Sequence, residues 1–213
     1  MSHRSDARLL VLHGLRLKGI ASADSVAVAV GLSVASVLRE LGALVAEGLT
    51  VRRSGLAAGW SLTEAGCDEH ERVVTDELEA VGARPTVESG YRRFRSLNSD
   101  VLDACSRWQV RHVGGQAVRN DHSDPRHDAG VLVDLGTSLQ AARPIAARLA
   151  AKLDRFGPYA PQLEKALERA TAGEIDYVAK PLIPSFHTVW FEWHQDLLVT
   201  LGIDRSAETE GVL

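Results

Sequence analysis

The apolar positions divide the chain into two unlike stretches. From Ser5 to Gly19, Leu9, Leu10, Leu12, Leu15 and Leu17 recur at roughly helical spacing, with Ser5 or Asp6 as the cap and Gly19 as the stop. A second, short helix is expected to begin near Ser22, to turn Val26, Ala27 and Val30 inward, and to end at Gly31. Ser33 then caps a third helix, Val34 to Glu47, with an expected inner face of Val34, Val37, Leu38, Leu41, Leu44 and Val45, closed by Gly48. The runs from Leu49 to Arg53 and from Trp60 to Thr63 are short and strand-like. They flank a glycine-bounded loop and read as a hairpin. Thr63 caps a long helix, Glu64 to about Val81, ended by Gly82 and Pro85.

Beyond Pro85 the periodicity predicts helix throughout. One helix is expected from about Val87 to Arg111, followed by a loop rich in Gly, Asn, Asp, His and Pro from His112 to Pro125. A long helix should run from about Arg126 to Phe156, with Pro144 as its candidate bend, because a proline ring clashes with the preceding turn. Pro161 to Ala172 and about Pro184 to Gly202 complete the set, and a polar tail, residues 204–213, is expected to be flexible. No internal repeat or low-complexity segment interrupts this order.

Composition narrows the class. Of 213 residues 45% are apolar and 24% charged, the balance of an ordinary soluble globular chain, which excludes a disordered tail, a collagen-like chain and a disulfide scaffold. No apolar run approaches the ~18 residues of a membrane span. The first six residues lack the basic stretch and apolar core of a signal peptide, so a cytoplasmic location and no membrane partner are expected. Cys67 and Cys105 cannot form a zinc site alone, and a reducing compartment disfavours a disulfide. A net charge of -4 argues against an overall grip on nucleic acid, so any such binding must use a local patch. Residues 1–63 supply one: seven Lys or Arg against four acids, net +3, before seven acids on the helix that follows.

Three helices and a hairpin in this order, with the tight Gly31-Leu32-Ser33 connection between helices two and three, read as the winged variant of the helix-turn-helix. The run Ala23-Asp-Ser-Val-Ala-Val-Ala-Val-Gly-Leu-Ser-Val-Ala-Ser-Val-Leu-Arg-Glu-Leu41, then Leu44-Val-Ala-Glu-Gly-Leu49, Arg52-Arg53 and Leu62-Thr-Glu-Ala-Gly66, resembles the MarR-type family of bacterial winged-helix regulators. The resemblance covers about the first 80 residues. It implies double-stranded DNA as partner and a homodimer matched to two-fold sites. The third helix would lie in the major groove, presenting Ser33, Ala35, Ser36 and Arg39, with Arg52 and Arg53 on phosphate, helped by Arg16 and Lys18. Two departures keep a protein-binding use open: the wing tip is Leu56-Ala57-Ala58 rather than basic, and Glu40 beside Arg39 repels phosphate.

The rest carries sparser chemistry. Tyr91, Phe94, Leu97, Asn98, Val101, Leu102, Cys105, Trp108 and Gln109 form a helical stripe that reads as core, with Asn98 and Gln109 as polar exceptions needing partners. Arg92, Arg93 and Arg95 read as a solvated face. The run Asn120-Asp-His-Ser-Asp-Pro-Arg-His-Asp128 is the densest polar segment, and Asp124 before Pro125 is explained as a helix start. His187 and His194 lie two turns apart on one face of the last helix, bordered by Phe186 and Trp190. His122 with His187 or His194, completed by Asp121, could hold a divalent metal, but the spacing matches no metal motif and none is assigned. A small-molecule or anion pocket is favoured, built from Tyr91, Asn98, Trp108, Gln109, Asn120, His122, His187 and Trp190, provided their segments meet.

Tyr91-x-x-Phe94-x-x-Leu97-Asn98, Trp108-Gln109, Asn120-Asp-His-Ser-Asp124 and Ser185-Phe-His-Thr-Val-Trp-Phe-Glu-Trp-His194 resemble a helical region attached to winged helices in actinobacterial proteins. Some of these accompany phosphoenolpyruvate- or pyruvate-phosphate-dikinase-like enzymes. That likeness implies a module that senses a small-molecule effector or docks on a dikinase-like enzyme. The expected fold is therefore mainly α: a winged helix-turn-helix over 1–82 and an all-helical effector or dimerisation domain over 86–203. The expected function is a DNA-binding transcriptional regulator. The alternative is a winged-helix module that controls a phosphoenolpyruvate- or pyruvate-using phosphotransfer enzyme without touching DNA. No catalytic residue and no cofactor is assigned, because nucleophile elbow, phosphate-binding glycine loop and metal spacing are all missing.

Overall fold

The computed structural model describes residues 2–55 and 58–204, and it forms helix wherever a capped apolar period runs. Leu56 and Ala57 of the expected wing tip, and all of the expected tail but Asp204, lie outside the described residues. Among the described residues the chain is mainly helical with two small hairpins, and no single helix is long and apolar enough to cross a membrane. Two compact units divide it, and neither is continuous in sequence. The first takes the chain up to Val87, Lys152–Arg155 and the chain from Gln195 onward; the second takes Glu88–Ala151 and Phe156–His194.

In the first unit, α1 (Ala7–Lys18), α2 (Ala23–Val30) and α3 (Val34–Ala46) precede β1 (Thr50–Arg53), β2 (Gly59–Leu62) and α4 (Glu64–Ala80). Each of these helices starts at a residue whose side-chain oxygen accepts the backbone N–H three residues on: Asp6 from Leu9, Ser22 from Ser25, Ser33 from Ser36, Thr63 from Gly66. Gly31 ends α2 in the left-handed conformation, which turns the chain into α3. Leu12, Leu15, Val26, Val37, Leu41 and Leu44 form the core.

The expected inner face of α3 is too wide. Val37, Leu41 and Leu44 are fully buried, but Val34, Leu38 and Val45 are 37%, 49% and 43% exposed. Only one side of α3 is covered, by α1, α2 and β1, so the second apolar row faces outward.

β1 and β2 pair antiparallel from Thr50 opposite Leu62 to Arg53 opposite Gly59, and Ala21 exchanges both backbone bonds with Trp60 (3.0 and 2.7 Å), adding a third short edge. The Leu62-Thr63-x-x-Gly66 run has a steric cause. The Thr63 hydroxyl donates to the Gly48 carbonyl at 2.8 Å while accepting from Gly66, and a Cβ on Gly66 would sit 1.9 Å from the Leu49 carbonyl oxygen. Gly66→Ala is expected to cost about 1–3 kcal/mol, read as a lowered denaturation midpoint at unchanged slope. A midpoint equal to that of the natural chain would refute the close approach.

The same unit buries a polar network. The two nitrogens of His13 lie 3.0 Å from His70 Nε2 and 2.9 Å from Asp196 Oδ1, and Thr200 donates to that oxygen at 3.0 Å. Arg155 donates to Glu77, to Ser5 and to Thr200.

The second unit contains the rest of α5 (Arg84–Gln109), then β3 (Val110–Val113), β4 (Gln116–Arg119), α6 (Pro125–Ala150), α7 (Tyr159–Thr171), α8 (Asp176–Ala179) and the start of α9 (Phe186–Leu201). Phe94 organises its core, with its ring 4.4 Å from Trp190 and 5.0 Å from Trp193, and Tyr159 stacks on Trp193. This region is not the all-helical one expected above: the helix expected to reach Arg111 ends at Gln109, and β3 and β4 form a second hairpin across its expected end and the expected loop. Gly114 and Gly115, at φ 60° and 83°, make the two-residue left-handed turn that a tight hairpin needs, and Val110, Val113 and Val118 are β-branched. Asp124 caps α6 with Pro125 in its first turn, as read from the sequence. α6 stays one helix through Pro144 but ends at Ala150, short of Phe156. α8 lies in a stretch for which no helix was expected.

Candidate functional site

The second hairpin makes a site out of the dense polar segment. α5 runs directly into β3, β4 returns the chain, and Asn120 then donates its N–H to the Gln109 carbonyl at 2.8 Å. The buried Asn120 amide donates to the Trp108 carbonyl at 3.0 Å and to Asp128 Oδ1 at 2.9 Å. Its oxygen accepts the His122 N–H at 3.1 Å, a side-chain turn that holds His122 at φ 60°, where non-glycine residues are uncommon. His122 Nδ1 lies 2.9 Å from Asp128 Oδ2. Because a carboxylate only accepts, that nitrogen carries the proton, and Nε2 is left without a protein partner among the described residues.

The His122 ring tilts against Trp108 at 4.8 Å, and the Trp108 indole nitrogen donates to the Ile175 carbonyl at 3.2 Å. These groups border a cleft of about 1090 Å³ whose other walls include Val110, Val118, Arg119, Ile175, Ala179 and Lys180. Asp121 at its edge accepts from the Ser123 hydroxyl and N–H and faces Arg111. These contacts, the Ser123 hydroxyl foremost, hold its carboxyl below the usual range.

Of the eight residues expected to share a pocket, Trp108, Gln109, Asn120 and His122 line this cleft. The other four do not. Tyr91 stacks on His194, Asn98 accepts from the Trp190 indole at 3.0 Å, and Trp190 is buried between Phe94 and Phe186. His187 is outside the lining, and desolvation holds its imidazole below the ordinary value. Tyr91, Phe94, Val101, Ala104, Cys105 and Trp108 of α5 are buried, but Leu102, expected in the same stripe, is 44% exposed, and only the last turn reaches the cleft. His122 is paired with Asp128, and His194 lies in the Phe94 and Tyr91 stack. Among the described residues no three His, Cys, Asp or Glu converge to hold a metal. Cys105 is buried and its thiol is pushed up to about 12, which leaves it unreactive. Arg119, the pairing role of Asp128 and the Ile175–Pro181 segment were not singled out by sequence reasoning. Their part depends on the hairpin.

In the first unit, Ser33 caps α3 and its hydroxyl lies 2.9 Å from that of Ser36. Ala35 and Arg39 are exposed, and Arg39 lies 3.6 Å from Glu40. On the hairpin, the Arg52 guanidinium sits 5.9 Å over Trp60 and Arg53 donates to Ser61 at 3.1 Å, with both residues exposed. The class defined here is a mainly helical protein with an outward-facing helix and hairpin in one unit and a mixed polar and apolar cleft in the other. No family model, curated protein or solved structure matches the chain.

Proposed function

We propose that the first unit is a winged helix-turn-helix that binds double-stranded DNA, and that the chain is a transcriptional regulator, working as a homodimer, whose cleft senses a small molecule. The observation that carries this reading is the return of the hairpin onto Ala21. Helix, bridge, helix, tight turn, helix and hairpin follow one another as they do in a winged helix, with the outer side of α3 and the side chains of Arg52 and Arg53 left exposed. A capped helix with an exposed first turn suits a major groove, and arginines on a hairpin suit phosphate.

The test is binding of the full chain to duplex DNA from upstream of its own gene at 50 and 200 mM salt, as order-of-magnitude settings. Saturable, sequence-selective binding that weakens with salt is expected. Arg39→Ala should lower affinity about tenfold or more, and Arg53→Ala should flatten the salt slope by about one. No binding by the folded chain at micromolar concentration, or unchanged affinity in both variants, would count against DNA.

One observation favours a second reading, docking on a protein such as a phosphoenolpyruvate- or pyruvate-using phosphotransfer enzyme: the outward row Val34, Leu38 and Val45 on α3 is apolar. Under that reading Leu38→Ser abolishes partner binding and Arg39→Ala does not.

A further inference from the structure

Among the described residues, one cation of the cleft in the second unit has no acidic partner. Asp121 and Asp124 share Arg111 at 3.1 and 3.9 Å, Asp176 faces Lys180 at 2.6 Å, and Asp128 accepts from His122 Nδ1 at 2.9 Å. Arg119 stands exposed at the end of β4, opposite Val110, with no acid at ion-pair distance among the described residues. An entering carboxylate therefore meets one cation that no acid already holds. His122 Nε2, the acceptor nitrogen of a ring that Asp128 and Asn120 hold in place, has no protein partner among the described residues and is open to a ligand donor such as a hydroxyl.

The remaining surface is apolar and partly flat. The Trp108 nitrogen is already committed to Ile175, so the indole offers contact area rather than a hydrogen bond. Val110, Val118 and Ile175 are 39%, 37% and 45% exposed, unusual for branched aliphatic side chains that share one cleft. At about 1090 Å³ the cleft is at or above the upper end of the usual ~300–1,000 Å³ for ligand sites, so it suits a bulky body rather than a two- or three-carbon acid.

We propose that this cleft binds an apolar carboxylic acid with a bulky or ring-bearing body, its carboxylate directed to Arg119 and its body to Trp108 and Val118. The inference rests on the reading of the cleft as the sensing site.

Calorimetric titration of the full chain with 2-naphthoic acid and with its neutral counterpart 2-naphthalenemethanol tests it. One site per chain is expected, with the acid bound at least about tenfold more tightly, as a charge-assisted hydrogen bond to arginine provides. Arg119→Glu should remove that advantage and leave the alcohol within about twofold, while Val118→Ser should weaken both compounds. Equal affinities for acid and alcohol, or an acid indifferent to Arg119→Glu, would overturn the assignment to acids and keep the cleft as a sensing site. Binding of neither compound would overturn the sensing reading along with it. Far-UV circular dichroism establishes that each variant is folded.

Discussion

Arg155→Met is expected to destabilise the first unit by about 3–5 kcal/mol. The Arg155 and Glu77 side chains are each 5% exposed and form an ion pair, and Arg155 also donates to Ser5 and Thr200. Removing the guanidinium leaves the Glu77 carboxylate buried next to the imidazole of His3, which is half-exposed and 3.2 Å away. The cost comes from the stranded charge rather than from the strength of the pair, because desolvating both groups already offsets much of their attraction. Replacing both partners, as Arg155→Met with Glu77→Leu, should therefore recover a large part of the loss. Urea denaturation of the natural chain, the single variant and the double variant reads this directly. A single variant within about 1 kcal/mol of the natural chain, or a double variant no better than the single one, would show that the pair is not the buried charge it is taken to be.

The second large effect is loss of stability in mild acid through His70. Burial first, then the charges of His13, Arg16 and Arg155, push its imidazole down to about 3, against an ordinary value of 6.5. Hydrogen bonding gives the same direction. His70 Nε2 is taken up by His13 Nδ1 and His70 Nδ1 is buried without a partner, so an added proton would find no acceptor.

The unfolded chain takes up that proton below pH 6.5 and the folded chain does not. Stability present above 6.5 is thus lost progressively as pH falls, until the folded group itself titrates near 3. Between pH 7.5 and 5 the loss is about 2 kcal/mol, from the linkage of 1.36 kcal/mol per pH unit below the unfolded value. His70→Leu should be less stable at neutral pH, since His13 loses its partner, but its denaturation midpoint should fall less steeply between these pH values. Parallel midpoint curves for the two proteins would remove His70 as the cause. His187, also held low by burial, contributes in the same direction in both proteins.

What could be read from sequence was set over a few residues. Asp6, Ser22, Ser33, Thr63 and Asp124 begin helices because their side chains reach a backbone N–H two or three residues on, whatever the rest of the chain does. Gly31 turns left-handed for an equally local reason. The second hairpin was local too, in Gly114-Gly115, yet its exposed strands carry too little apolar alternation to stand out from a polar loop.

Periodicity says which positions are apolar and not which are covered. Val34, Leu38 and Val45 match the helical period of α3, but their exposure depends on what packs there. The polar partners are further removed: His13 meets Asp196 across 183 residues of chain, and Trp108 meets Ile175 across 67. Tyr91, Asn98 and Trp190 were drawn into the aromatic core by tertiary packing, while Arg119 and Ile175 were brought to the cleft and Asp128 to His122. Helix starts, turns and charge balance were determined by the sequence itself, because hydrogen bonds to neighbouring backbone and φ preferences are local. Burial, partner choice and the make-up of the cleft were decided only by the tertiary structure, because each depends on groups that the chain brings together from far apart.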